Sequence, residues 1–135
     1  MGITKAEALK AVDRERGPVC EASDRIWDQP ETAFQEFHST DVLCELLEKE
    51  GFRVERNLAG IATAFSGTYG SGKPVVGILG EFDALSGLSQ ESESLEKTAL
   101  VDGAPGHGCG HNLLGTGSVA AAIAVKEYLE KNGEE

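Results

Sequence analysis

This chain is short of positive charge. Its 135 residues carry 12 Lys and Arg against 23 Asp and Glu, a formal net charge of −11. Binding to a nucleic-acid backbone needs clustered cations, so no nucleic-acid partner is expected. Docking on an anionic membrane surface is disfavoured for the same reason. No apolar run approaches the roughly 20 residues of a membrane-spanning helix, so no membrane partner is expected either. The opening MGITKAEALKAVDRER lacks the apolar stretch of a secretory signal. Ala6 stands where myristoylation after Gly2 would want Ser or Thr. Cysteines are few: Cys20, Cys44 and Cys109, with no CxxC. An odd number without close pairs does not suggest a disulfide framework, and reduced thiols in a cytoplasmic protein are the simplest reading.

What is present suffices for one domain with a modest core, since 40% of the residues are hydrophobic. Residues 3–28 have helical periodicity, and Gly17-Pro18 predicts a break within them. A second helix is expected from Thr32 to Glu50, with Phe34, Phe37, Val42, Leu43, Leu46 and Leu47 on its apolar stripe. Cys44 reads as a small helix residue and His38 as a surface one. Strands are expected at Phe52–Arg56, Ile61–Ser66 and Val75–Gly80; the last, VVGILG, is apolar enough to be buried on both faces. Ser89–Lys97 is polar and reads as a loop. Leu113–Lys131 is expected to be a helix with small residues at its start, ended by Asn132-Gly133. Mixed helices and apolar strands predict an α/β layer structure.

Two glycine motifs imitate nucleotide-binding loops. Gly67–Pro74, GTYGSGKP, nearly matches the P-loop pattern, but Pro74 replaces the hydroxyl residue and a strand is expected to follow. A glycine-rich turn between strands is the better reading. Gly115-Thr116-Gly117 with Ala120 lacks the preceding strand of a dinucleotide fingerprint and reads as close helix packing.

The segment Pro105–Gly115, PGHGCGHNLLG, carries ligand chemistry. His107, Cys109 and His111 alternate, and in an extended segment all three would lie on one side. Thiolate and imidazole are good ligands for zinc and similar ions. The same pattern also fits a glycine-rich turn with Cys109 buried and the histidines capping the helix. Upstream, Glu81-Phe82-Asp83-Ala84-Leu85 follows the VVGILG segment, and α/β proteins place ligands at such strand ends. Asp83 has the chemistry to accept the outer N–H of a ligating His111, or simply to start a turn.

The blocks PETAFQEFHST, GEFDALSGLSQ and GHGCGHNLLGTGS, in that order, resemble the dinuclear metal amidohydrolases that include the aminoacylases and aminobenzoyl-glutamate hydrolases. The resemblance runs from about Ser23 to Lys131. It implies a partial α/β/α catalytic domain of the zinc-exopeptidase kind, with helices packed on a mostly parallel mixed sheet. Residues 1–135 would be its N-terminal part. It implies cleavage of the amide bond of an N-acyl or N-aroyl amino acid or dipeptide with two divalent ions, Zn or Mn, in a protein that dimerises when complete. Cys109 matches the cysteine that bridges the two ions and His111 a terminal ligand. Asp83 matches a supporting catalytic position, and Glu81 the acidic position before it. His107 matches a residue outside the ligand set, and Asn112 departs from the Asp of many similar proteins. Such proteins also carry a Glu-Glu pair, one member the general base, and two further histidine ligands. Glu134-Glu135 follows Asn132-Gly133 without strand context and does not match that pair. The chain alone is therefore expected to be inactive. A non-catalytic metal-binding module, or an interaction domain in which Cys109 is buried, remains as an alternative.

Overall fold

The computed structural model describes residues 2–134 and shows a small α/β mixture of four helices and one two-stranded antiparallel sheet. Glu135 lies outside the described residues. Helix α1 spans Lys5–Arg14 and opens with a capping box. The Thr4 N–H donates to Glu7 Oε2 at 2.8 Å, and the Glu7 N–H donates to Thr4 Oγ1 at 3.3 Å, so two helix-end donors are satisfied reciprocally. Helix α2 spans Arg16–Asp28. The break therefore falls at Glu15, ahead of Gly17-Pro18. Pro18 sits in the first turn of α2, where a missing N–H forfeits no hydrogen bond.

Helix α3 spans Phe37–Lys49, five residues shorter at its start than expected. Phe34 adopts a positive φ of 66°, which ends any helical run through it. The Glu31 carboxylate accepts from the His38 and Ser39 N–H groups at 2.9 and 2.8 Å and so caps α3 from outside. Phe34 and Phe37 consequently lie exposed rather than on the apolar stripe. His38 is part-buried, and its Nε2 has no hydrogen-bond partner among the described residues. Cys44 is fully buried.

Strands β1 (Arg53–Arg56) and β2 (Phe65–Thr68) pair antiparallel, with Arg53 opposite Thr68 and Arg56 opposite Phe65. The second strand thus begins four residues later than the periodicity suggested. Val75–Gly80 forms no ladder with any described segment. Its apolar residues are open to solvent, Val75 at 85% and Leu79 at 93%. No helix follows Pro74 before His111, so a P-loop is excluded, and the expected turn between two strands is only the segment after β2.

Helix α4 spans His111–Asn132, with Gly133 as its left-handed cap. None of the described helices is long and apolar enough to cross a membrane. The core lies where α2, α3 and α4 meet: Ala22 and Ile26, then Val42, Leu43, Leu46 and Leu47, then Val119 and Ile123, with Phe52 beside them. Helix α1 is tied to α4 by the ion pair of Arg14 with Glu127.

Candidate metal site

Backbone pairing builds the site before any side chain acts. Ala84 N–H donates to the Glu31 carbonyl at 2.7 Å, and Leu85 exchanges two 3.0 Å hydrogen bonds with Gly106. The segment after Glu81 is thereby held between the cap of α3 and the loop that enters α4. Gly106 is needed there, because a Cβ would lie 2.0 Å from the Leu88 carbonyl oxygen. Further up, the Ser118 hydroxyl of α4 donates to the Leu79 carbonyl at 2.8 Å. A Cβ on Gly115 would sit 3.0 Å from Phe82 Cβ and 3.1 Å from the Glu81 carbonyl oxygen. The absence of a side chain at Gly115 is what allows the Glu81–Asp83 segment to approach α4.

Within this frame His111, the first residue of α4, meets both carboxylates. Asp83 Oδ1 lies 2.7 Å from its Nδ1, and Glu81 Oε2 lies 3.2 Å from its Nε2. Glu81, Asp83 and His111 offer one ligand atom each, all within 4.8 Å of one another. An imidazole with two carboxylates suits Zn or Mn. The strongest contact is on Nδ1. It fixes the ring and leaves Nε2 as the nitrogen for an ion.

The alternating trio does not converge. Gly110 N–H donates to the His107 carbonyl at 3.0 Å, closing a turn through Gly108-Cys109. An extended segment would have kept the three side chains together; the turn separates them. His107 is buried, stacks on Trp27 with ring centroids 6.2 Å apart, and donates from Nε2 to the Ile26 carbonyl at 3.1 Å. Burial pushes its pKa below the usual imidazole value, against the opposing pull of that carbonyl. Cys109 is exposed and stands outside the Glu81–Asp83–His111 group. It is therefore not the buried thiol of an interaction domain, nor part of a closed tetrahedral site with both histidines. Asn112 is buried, and its amide nitrogen donates to Ser23 Oγ of α2 at 3.0 Å.

Glu81 is the residue that the sequence undervalued. A usable signal was there: Glu81 and Asp83 alternate, the spacing that puts two side chains on one side of an extended segment. Glu31, Ser23 and Ile26, which support the site through backbone or hydroxyl groups, left no such signal.

No protein-family model matches the chain. Individual proteins do match it, and they are peptide- and amide-cleaving enzymes by name. The chain is 50% identical over 124 residues to a p-aminobenzoyl-glutamate hydrolase subunit of Escherichia coli strain K12. That alignment covers 92% of this chain and 26% of the relative. It is 28% identical over 142 residues to human Xaa-Arg dipeptidase and 27% identical over 139 residues to the mouse protein, covering 95% of this chain and 28% of each. The resemblance read from the PETAFQEF, GEFDAL and GHGCGH blocks is thus shown by similarity along nearly all of the chain. The chain spans about a quarter of the length of these relatives.

Proposed function

We propose that this chain forms part of the catalytic domain of a metal-dependent amidohydrolase. Its substrates are small N-acyl or N-aroyl amino acids, p-aminobenzoyl-glutamate among them, or dipeptides. The observation that carries the reading is the pairing of His111 Nδ1 with Asp83 at 2.7 Å, in a chain 50% identical to a hydrolase subunit named for that substrate. A carboxylate on one ring nitrogen is how proteins aim the other at a metal. His111 is a proposed ligand with Asp83 as its supporting residue, and Cys109, although it stands outside their group, is a proposed ligand on the resemblance alone.

Two divalent ions, Zn or Mn, would supply a polarised carbonyl and an activated water. This chain's own residues hold and orient. Asp83 keeps the proton of His111 on Nδ1. The Gly106–Leu85 pairing and the packing at Gly115 fix the distance between the two segments. The resemblance implies a general base and further ligands that none of residues 1–135 matches, so the complete site needs residues besides these. The proposed whole domain has the α/β/α layering with a mostly parallel mixed sheet, works in the cytoplasm and dimerises.

The test is hydrolysis of p-aminobenzoyl-glutamate, followed by release of p-aminobenzoate. A protein that embeds this chain in sequence of the relatives' length is expected to hydrolyse it with Zn or Mn and to stop when a chelator is added. The 135-residue chain alone is expected to show negligible turnover. Chelator-resistant hydrolysis would sink the metal-dependent reading, and brisk turnover by the short chain would sink the incomplete site.

A further inference from the structure

Glu81 and Asp83 reach His111 from one short segment and take opposite nitrogens of its ring. The two contacts differ in kind. Asp83 has a side chain 25% exposed and approaches to 2.7 Å, the distance of a charge-assisted hydrogen bond, about 2.7–2.9 Å. Glu81 is 69% exposed and stops at 3.2 Å. Two ligands that each sit about 2.0–2.1 Å from one zinc ion at a tetrahedral angle are about 3.3 Å apart. Glu81 and His111 Nε2 therefore already stand at the separation of two ligands on a common ion.

Backbone contacts hold the segment that carries Glu81 against α4. The Glu81 carbonyl oxygen packs onto Gly115, and the neighbouring Leu79 carbonyl accepts from Ser118. Both contacts press the root of the Glu81 side chain against the start of α4. Asp83 cannot serve in its place, because it is committed to Nδ1.

We infer that Glu81 is a direct metal ligand, sharing with His111 Nε2 an ion that Asp83 helps to aim. The inference rests on the metallohydrolase reading and adds a ligand to it. The carboxylate is open enough to meet an ion in solution and close enough to His111 to hand it on without backbone movement.

The test is titration with cobalt(II) of the metal-free protein that embeds this chain in sequence of the relatives' length, followed by calorimetry and visible absorption. The wild type is compared with Glu81→Gln, His111→Ala and the distant control Glu21→Gln, with circular dichroism to confirm folding. Wild type is expected to bind cobalt and His111→Ala to bind it at least about tenfold more weakly. Glu81→Gln is expected to weaken binding by at least about tenfold, the smaller end of what even an indirect metal partner contributes, and to alter the ligand-field bands. The weakening is expected to persist in about 1 M salt, where the Debye length falls to about 3 Å and a mere change of field would be screened. Glu21→Gln is expected to leave binding unchanged. Binding by the wild type that depends on His111 but is equal or tighter in Glu81→Gln overturns the ligand and leaves the metal reading standing. Failure of the wild type to bind cobalt overturns both.

Discussion

The same substitution at two glycines of α4 is expected to have different effects. Replacing glycine by alanine inside a helix stabilises by about 1 kcal/mol, because the unfolded chain loses freedom. Gly117 is exposed and a Cβ there meets nothing within 4 Å. Gly117→Ala should therefore gain the full amount, about 4 °C in Tm for a chain of this length. At Gly115 the added Cβ would lie 3.0 Å from Phe82 Cβ and 3.1 Å from the Glu81 carbonyl oxygen. The latter is backbone and cannot rotate aside. Overpacking of this kind costs about 1–3 kcal/mol, which cancels or exceeds the helix gain. Gly115→Ala should melt about 4–12 °C below Gly117→Ala. Thermal denaturation of the two variants beside wild type decides it. If Gly115→Ala melts as high as Gly117→Ala, the 79–83 segment does not pack on α4 as described, and that packing cannot be what sets the site.

Asp83→Ala should lower zinc or cobalt affinity about 10–100-fold, or about 1.4–2.7 kcal/mol, through loss of the hold on His111 Nδ1; chelator competition reads it, and unchanged affinity would refute the orienting role. Cys44 is buried, which pushes its thiol up to about 11, while Cys20 and Cys109 are exposed. At pH 8 a disulfide reagent should consume two thiols quickly and the third only in urea, because the thiolate is the nucleophile; three fast equivalents would contradict the core position of Cys44. Lys131 first and Arg14 next hold the Glu127 carboxyl below its usual 4.5. Its contribution, at most about 1 kcal/mol for such a pair, should be present above pH 4.5 and vanish as pH falls through the lower folded value. Denaturant melts of Glu127→Gln and wild type should therefore differ at pH 7 and converge near pH 3; a gap unchanged at pH 3 would exclude the ion pairs as its source.

The helices were legible because their signals are local. Apolar periodicity marked the bodies of α2, α3 and α4, and Asn132-Gly133 marked an end. Their starts were less so. Pro18 was read as a break although a first turn accepts it. Nothing in the run from Thr32 announced that Glu31 would cap α3 across seven residues. The strands failed where a partner was needed. Val75–Gly80 has the composition of a doubly buried strand, but burial is conferred by neighbours, and no described segment pairs with it. Composition shows what a segment is fit for; pairing is decided elsewhere in the chain.

The site divides along the same line. The contact of His111 with Asp83 was legible from residue chemistry and block resemblance, since an imidazole beside a strand-end carboxylate is a pairing that chemistry favours. The trio does not converge, because alternation implies a common side only in extended backbone. Gly108 and Gly110 flank Cys109 and favour a turn, and one hydrogen bond from Gly110 to His107 closes it. That turn sends His107 into the core against Trp27 and leaves Cys109 at the surface. Glu81 and Asp83 also alternate, and both do reach His111, with Ala84 and Leu85 beside them paired to Thr32 and Gly106. What brings these side chains together here is the backbone pairing and packing beside them. An alternation of ligand-type residues therefore counts as a site only where neighbouring backbone enforces it.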